Sequence, residues 1–124
     1  MNLVAVGVVE LTVGVLSGWL MVAAGDTRWR RLLRIEDPRR IRQGHLDLLI
    51  MGAILVAIGA GVDSPPALAA WLIGIGSWLA PLLFFPPAWS RAAADNRVLQ
   101  LLDRAGFVML TVGYLVLAWS VVVG

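Results

Sequence analysis

All ten basic residues of this chain are arginines, and they fall in two of the three connections between four long apolar stretches. Seven lie between Arg28 and Arg42, and the other three are Arg91, Arg97 and Arg104. The middle connection, Gly61 to Pro66, carries Asp63 as its only charge. Retention of arginine on one face of a bilayer produces this alternation. The pattern predicts an all-α integral membrane four-helix bundle, N-out/C-out, with connections 1-2 and 3-4 in the cytoplasm.

At 124 residues the expectation is a single transmembrane domain, 1–124. Its apolar content of 60% and mean hydropathy of +0.85 exceed what a soluble domain of this size carries. A pI near 10.4 would point to nucleic acid in a soluble protein. Here the arginines flank apolar spans, so anionic lipid headgroups are the expected partner and nucleic acid is not. Without cysteine there is no disulfide, thiolate metal site or cysteine nucleophile. Ten arginines and no lysine is the usage of a GC-rich bacterial genome, which sets the expected location at the bacterial inner (plasma) membrane.

The spans are expected at about 3–24, 44–62, 67–85 and 105–123. Each is about 28–33 Å long as helix, enough for a hydrocarbon core of about 30 Å. The first has no basic residue before it and is longer than a signal-peptide core, so it reads as retained. Trp19, Trp71, Trp89 and Trp119 fall towards span ends, as an aromatic belt requires, while Trp78 sits mid-span as a bundle contact. Gly14 and Gly18 form a GxxxG with Gly7 two turns back, and Ala53, Ala57 and Gly61 line one face of the second span. Such small-residue spacing permits close helix approach. In the first connection Trp29, Leu32 and Leu33 share a face ringed by Arg30, Arg31 and Arg34, predicting a short interfacial helix ended by Pro38. Ser90 to Arg104 is also amphipathic and extends the fourth helix.

His45, Asp47, Glu10 and Tyr114 stand out as candidates for chemistry. His45 is the only histidine, and it shares a helical face with Leu48, Leu49 and Gly52, while Asp47 and Met51 lie on another. The uninterrupted apolar part of that span, Leu48 to Val62, is about 22 Å long, short of the core thickness. His45 and Asp47 are therefore drawn below the headgroups, where ionisable groups face a bundle interior or a wet cavity. An imidazole there can bind a metal or haem iron or shuttle protons, and the competing role is an interfacial hydrogen bond. Asp47 is expected in the first turn of its helix, stabilised by the dipole and by Arg42 or Arg40. Glu10 lies about 10 Å into the first span with no cation in that leaflet, so it must be protonated, hydrogen-bonded or wet. His45 and Glu10 are expected roughly 20 Å apart in depth, too far to share a site. Tyr114 and Thr111, mid-depth in the fourth span, are expected to bond across helices. No phosphate loop, HExxH or nucleophile–histidine spacing occurs.

The stretch Asp37-Pro38-Arg39-Arg40-Ile41-Arg42-Gln43-Gly44-His45-Leu46-Asp47-Leu48-Leu49-Ile50-Met51-Gly52 resembles the second-helix opening of the hydroxylaminobenzene mutase and styrene oxide isomerase group of small four-helix membrane proteins. Leu16-Ser17-Gly18 and Gly76-Ser77-Trp78-Leu79-Ala80 are similar to that group too. The likeness covers the first two spans well and the third loosely. It implies a homotrimer binding haem b, with His45 at the position of the axial iron ligand and a small apolar epoxide or hydroxylamine as substrate. The chain departs from the pattern at Met51 and Ser77, where asparagines are expected, and it has no tyrosine in the third span. Methionine cannot donate a hydrogen bond to a substrate oxygen. The expectation is a haem-binding, isomerase-like protein with altered or lost catalysis. Two other classes stay open: a non-enzymatic accessory subunit that docks a partner or anionic lipid through its basic links, and an oligomeric carrier of protons or small molecules using Glu10.

Overall fold

The computed structural model describes all residues from Met1 to Gly124 and is entirely helical. Four helices are long and apolar enough to cross a membrane. The first, α1 (Leu3–Ala24), starts where the Asn2 side chain accepts from the Ala5 N–H at 3.1 Å. A short helix, α2 (Thr27–Leu32), follows behind an Asp26 cap and stops before Arg34, whose φ of 57° turns the chain. The second long helix is α3 (Pro38–Gly61), and α4 (Ala67–Leu82) comes next. Two single turns, α5 (Pro86–Trp89) and α6 (Arg91–Ala94), lead to α7 (Arg97–Val123).

Two boundaries differ from the hydropathy reading for the same physical reason. Pro38 does not end the interfacial helix; it is the first residue of α3, where its missing N–H breaks no helical bond. Asp37 caps that start by accepting from the Arg39 N–H at 3.2 Å. The second helix thus begins six residues before the expected Gly44. Likewise α7 begins ahead of the apolar span at Ala105, so the amphipathic stretch extends the fourth helix as expected, though from Arg97 rather than Ser90, because the Asn96 side chain accepts from the Val98 and Leu99 N–H groups. Hydropathy marks where lipid contact starts, whereas capping marks where the helix starts.

Packing is by neighbours. Helix α1 lies antiparallel along α3, α4 lies along α7, and α3 meets α4. Helix α1 leans on α4, and the α7 backbone stays clear of the α1 and α3 backbones. The α1–α3 seam is made of glycine. A Cβ on Gly7 would lie 2.7 Å from the Gly52 carbonyl oxygen and 2.9 Å from the Val56 nitrogen. One on Gly59 would lie 2.7 Å from the Val4 nitrogen. The backbones meet directly, so dispersion and close fit hold the pair together where lipid supplies no hydrophobic drive. The α4–α7 seam repeats the device with Gly76 against Leu110 and Gly113 against Ile73. Leu3, Leu55, Ala69, Ala70, Ile73, Leu110 and Leu117 fill the space between the two pairs.

The two arginine-rich connections are fastened to each other at one end. The Glu36 and Asp37 N–H groups donate to the Ala88 carbonyl at 2.8 and 3.0 Å, and Trp89 Nε1 donates to the Leu33 carbonyl at 3.0 Å. Ile35, Ile41, Ala24 and Ala88 form a small apolar cluster beneath them. The Asp63 connection lies at the other end, as do both termini, because the long helices alternate in direction.

Gly7→Ala is expected to destabilise the protein by about 1–3 kcal/mol, since backbone on the facing helix cannot yield to the new methyl. Gly61→Ala, with nothing within 4 Å, should be neutral or slightly stabilising. Thermal unfolding of both variants in one detergent checks the contrast. Equal melting temperatures would contradict the seam.

Candidate functional site

The glycine seam decides where His45 sits. Because α3 starts at Pro38, His45 lies two turns inside the helix and faces the middle of α1. Its Nδ1 is 2.6 Å from the Gly14 carbonyl oxygen and 3.0 Å from Ser17 Oγ. A carbonyl oxygen only accepts, so Nδ1 carries the hydrogen and donates to Gly14. Ser17 Oγ donates to the same carbonyl at 2.6 Å, which closes the cluster. Gly18 makes room for the ring: a Cβ there would lie 3.1 Å from His45 Cε1. The opposite ring nitrogen, Nε2, makes no hydrogen bond. It is also not sealed in, since the one buried side-chain polar atom without a partner is Glu10 Oε1. The imidazole is thus held by one nitrogen and presents the other.

Glu10 belongs to the same stripe of α1, one turn from Gly14. Its side chain is fully buried. Ser77 Oγ, on α4, donates to the Gly74 carbonyl at 2.9 Å and stands 3.3 Å from Glu10 Oε2. One hydroxyl proton cannot serve both acceptors at once, so a protonated Glu10 that donates to Ser77 Oγ satisfies the pair. Oε1 remains without a partner. No arginine is near, because every arginine lies in or beside the two basic connections. An ionised carboxylate in this place would be uncompensated, at a cost far above that of the neutral acid.

Several expectations are corrected here. Glu10 and His45 are not separated by roughly 20 Å in depth: His45 bonds to Gly14, about 6 Å along α1 from Glu10. Asp47 is not in the first turn of its helix but about 13 Å beyond the start, and it makes no ion pair. Arg40, its expected partner, lies instead 3.7 Å from Asp37. Thr111 does not bond across helices; its hydroxyl donates to Phe107 of its own helix at 2.8 Å. Tyr114 makes no hydrogen bond and packs with Met51 and Val6 against the main core cluster. Neither Asp47 nor Tyr114 hydrogen-bonds to Glu10, whose side-chain partner is Ser77.

Two participants were not assigned from sequence: Ser17 as the second partner of His45, and Ser77 as the neighbour of Glu10. The signal for the first was present, because Glu10, Gly14 and Ser17 follow the i, i+4, i+7 spacing of one helical face. For Ser77 no such signal exists, since its partner lies on another helix.

No group of three or more histidine or acidic side chains converges anywhere in the bundle. A bare metal ion would find one imidazole and no further ligands. An iron that brings its other ligands in a macrocycle needs only the free Nε2, and the donor set fits that case. The turns around His45 also expose Val15, Leu16 and Trp19 of α1 and Leu46 and Ile50 of α3, an apolar surface beside the seam. Comparisons with protein-family models, with curated proteins and with solved structures gave no match.

Glu10→Gln is expected to keep the melting temperature within a few degrees of the parent, because an amide also donates to Ser77 Oγ. Glu10→Ala should cost about 2–3 kcal/mol through the cavity it opens. Thermal unfolding distinguishes the two. A Gln variant as unstable as the Ala variant would show that the carboxyl is ionised and specifically bound.

Proposed function

We propose that this chain is a membrane-embedded haem b protein of the bacterial inner membrane, with its termini outside and its arginine-rich end in the cytoplasm, working as an oligomer. The reading rests on the hydrogen bond from His45 Nδ1 to the Gly14 carbonyl. A backbone carbonyl on Nδ1 fixes the tautomer and orients the ring, as second-shell partners of ligating histidines do. Four apolar spans and the basic-link pattern support the location. The likeness of residues 37–52 to the mutase and isomerase group supports the choice of haem and of a trimer.

Haem held by His45 Nε2 would supply Lewis-acid chemistry towards a small apolar substrate such as an epoxide or hydroxylamine. This chain's own residues hold and orient the ligand: Ser17 and Gly14 lock the imidazole, and Gly18 leaves it space. Met51 contributes packing and no hydrogen bond. Ser77 and Glu10 are buried against each other, so with methionine at position 51 and serine at position 77 the catalysis is altered or lost relative to the group the sequence resembles.

Protein purified in mild detergent from cells supplied with haem should show a Soret band that His45→Ala abolishes. Ser17→Ala should keep the band with reduced haem retention, by about tenfold, because one second-shell contact is lost. A colourless parent protein, or a band unchanged in His45→Ala, would contradict the proposal. His45 would then be a pin between α1 and α3, and an accessory subunit would be the better description.

A further inference from the structure

We propose that the cleft between the two arginine-rich connections binds the phosphate monoester headgroup of an anionic lipid. The cleft has a volume of about 460 Å³ and is lined by Arg30, Arg39, Arg40 and Arg91 with Glu36 and Asp37. These side chains come from α2, the link after it, the start of α3 and α6, so the cleft exists only because the two connections are fastened together.

The two acids are already engaged. Glu36 Oε2 accepts from the Arg91 N–H at 3.1 Å. Asp37 accepts from the Arg39 N–H, and its two oxygens lie 3.5 Å from Arg39 Nε and 3.7 Å from Arg40 Nε. The Arg91 guanidinium has no carboxylate partner. Arg30 reaches only the Ile35 and Glu36 carbonyls, at the long distance of 3.5 Å each. Four guanidinium groups against two occupied carboxylates leave an excess of two positive charges on the lining. A phosphate monoester carries up to two negative charges and three terminal oxygens, and the guanidinium fork suits such oxygens two at a time.

The position selects a lipid over a free anion. Pro38, the first residue of α3, and Pro87, at the end of the third span, both line the cleft, which sets it at headgroup height in a bilayer. Beside it α2 exposes Trp29 at 52% and Leu32 at 69%, apolar side chains that suit a helix lying in the interface. A headgroup in the cleft would have its acyl chains against that surface.

The test uses the full chain in phosphatidylcholine nanodiscs containing phosphatidic acid, with bound phosphatidic acid counted by native mass spectrometry. Arg30→Gln/Arg91→Gln should lower retention about tenfold more than the charge-matched control Arg97→Gln/Arg104→Gln, whose side chains do not line the cleft. Arg30→Lys/Arg91→Lys keeps the charge without the fork and should also retain less than the parent. Circular dichroism checks that each variant keeps its helicity, and the lysine pair decides the matter if the glutamine pair does not fold. Equal loss in the cleft and control variants, or full retention in the lysine pair, would reduce the effect to diffuse charge and overturn the site. Inorganic phosphate should not displace the lipid. Complete displacement would identify a free anion as the occupant and overturn the assignment to lipid.

Discussion

Backbone-to-backbone contact between α1 and α3 is the feature on which the rest of the structure depends. Gly7 and Gly52 let the two helices approach until one carbonyl oxygen lies where a side chain would start, and Gly59 does the same against Val4. In lipid, where apolar side chains gain little from leaving one another, this close fit is the main source of helix association. Its consequence for chemistry is direct. A spacing wide enough for ordinary side chains would carry His45 Nδ1 out of reach of the Gly14 carbonyl and would leave Glu10 less completely enclosed. The glycine seam is therefore both the fastening of the first helix pair and the device that aims the imidazole.

Much of the architecture was legible in the sequence because it follows from hydropathy and charge, which are properties of segments. Four long apolar helices, a short helix carrying Trp29 and Leu32, and the glycine-lined first helix all follow from that kind of signal. What hydropathy misplaced was depth. Arg39, Arg40, Arg42 and Gln43 are polar, so the stretch reads as connection, yet Asp37 and Pro38 start a helix there and carry it through the polar residues into the bundle. Moving the start from Gly44 to Pro38 shifts His45 from the edge of a span to the level of Gly14 and Ser17. It also takes Asp47 out of the first turn and away from the arginines expected to pair with it. The partnership of Glu10 with Ser77 was illegible for a different reason: it joins residues 67 positions apart, and no local spacing encodes it.

Polar groups inside the bundle are few, and they are not scattered. His45 with Ser17, and Glu10 with Ser77, occupy successive turns of one α1 face, with Asp47 and Tyr114 nearby. Polar side chains at this depth are costly unless partnered, so their gathering on one stripe marks the part of the molecule where function and stability compete. The two pairs differ in kind. His45 has its Nδ1 satisfied and its Nε2 free of hydrogen bonds. Glu10 is enclosed with one oxygen unpartnered, which is the arrangement of a neutral acid held in an apolar core. The arginines gather at the end of the bundle where α3 begins, outside this buried stripe.

The central claim is that Gly14 holds His45 through Nδ1 and leaves Nε2 with its lone pair. Because the chain has one histidine, nitrogen NMR of protein labelled only at the histidine ring reads that side chain without ambiguity. The account predicts a single neutral tautomer, protonated at Nδ1, with the Nδ1 hydrogen slow to exchange with water, in the cofactor-free protein in nanodiscs in mildly alkaline buffer. A ring protonated at Nε2, or one averaging rapidly between tautomers, would contradict it.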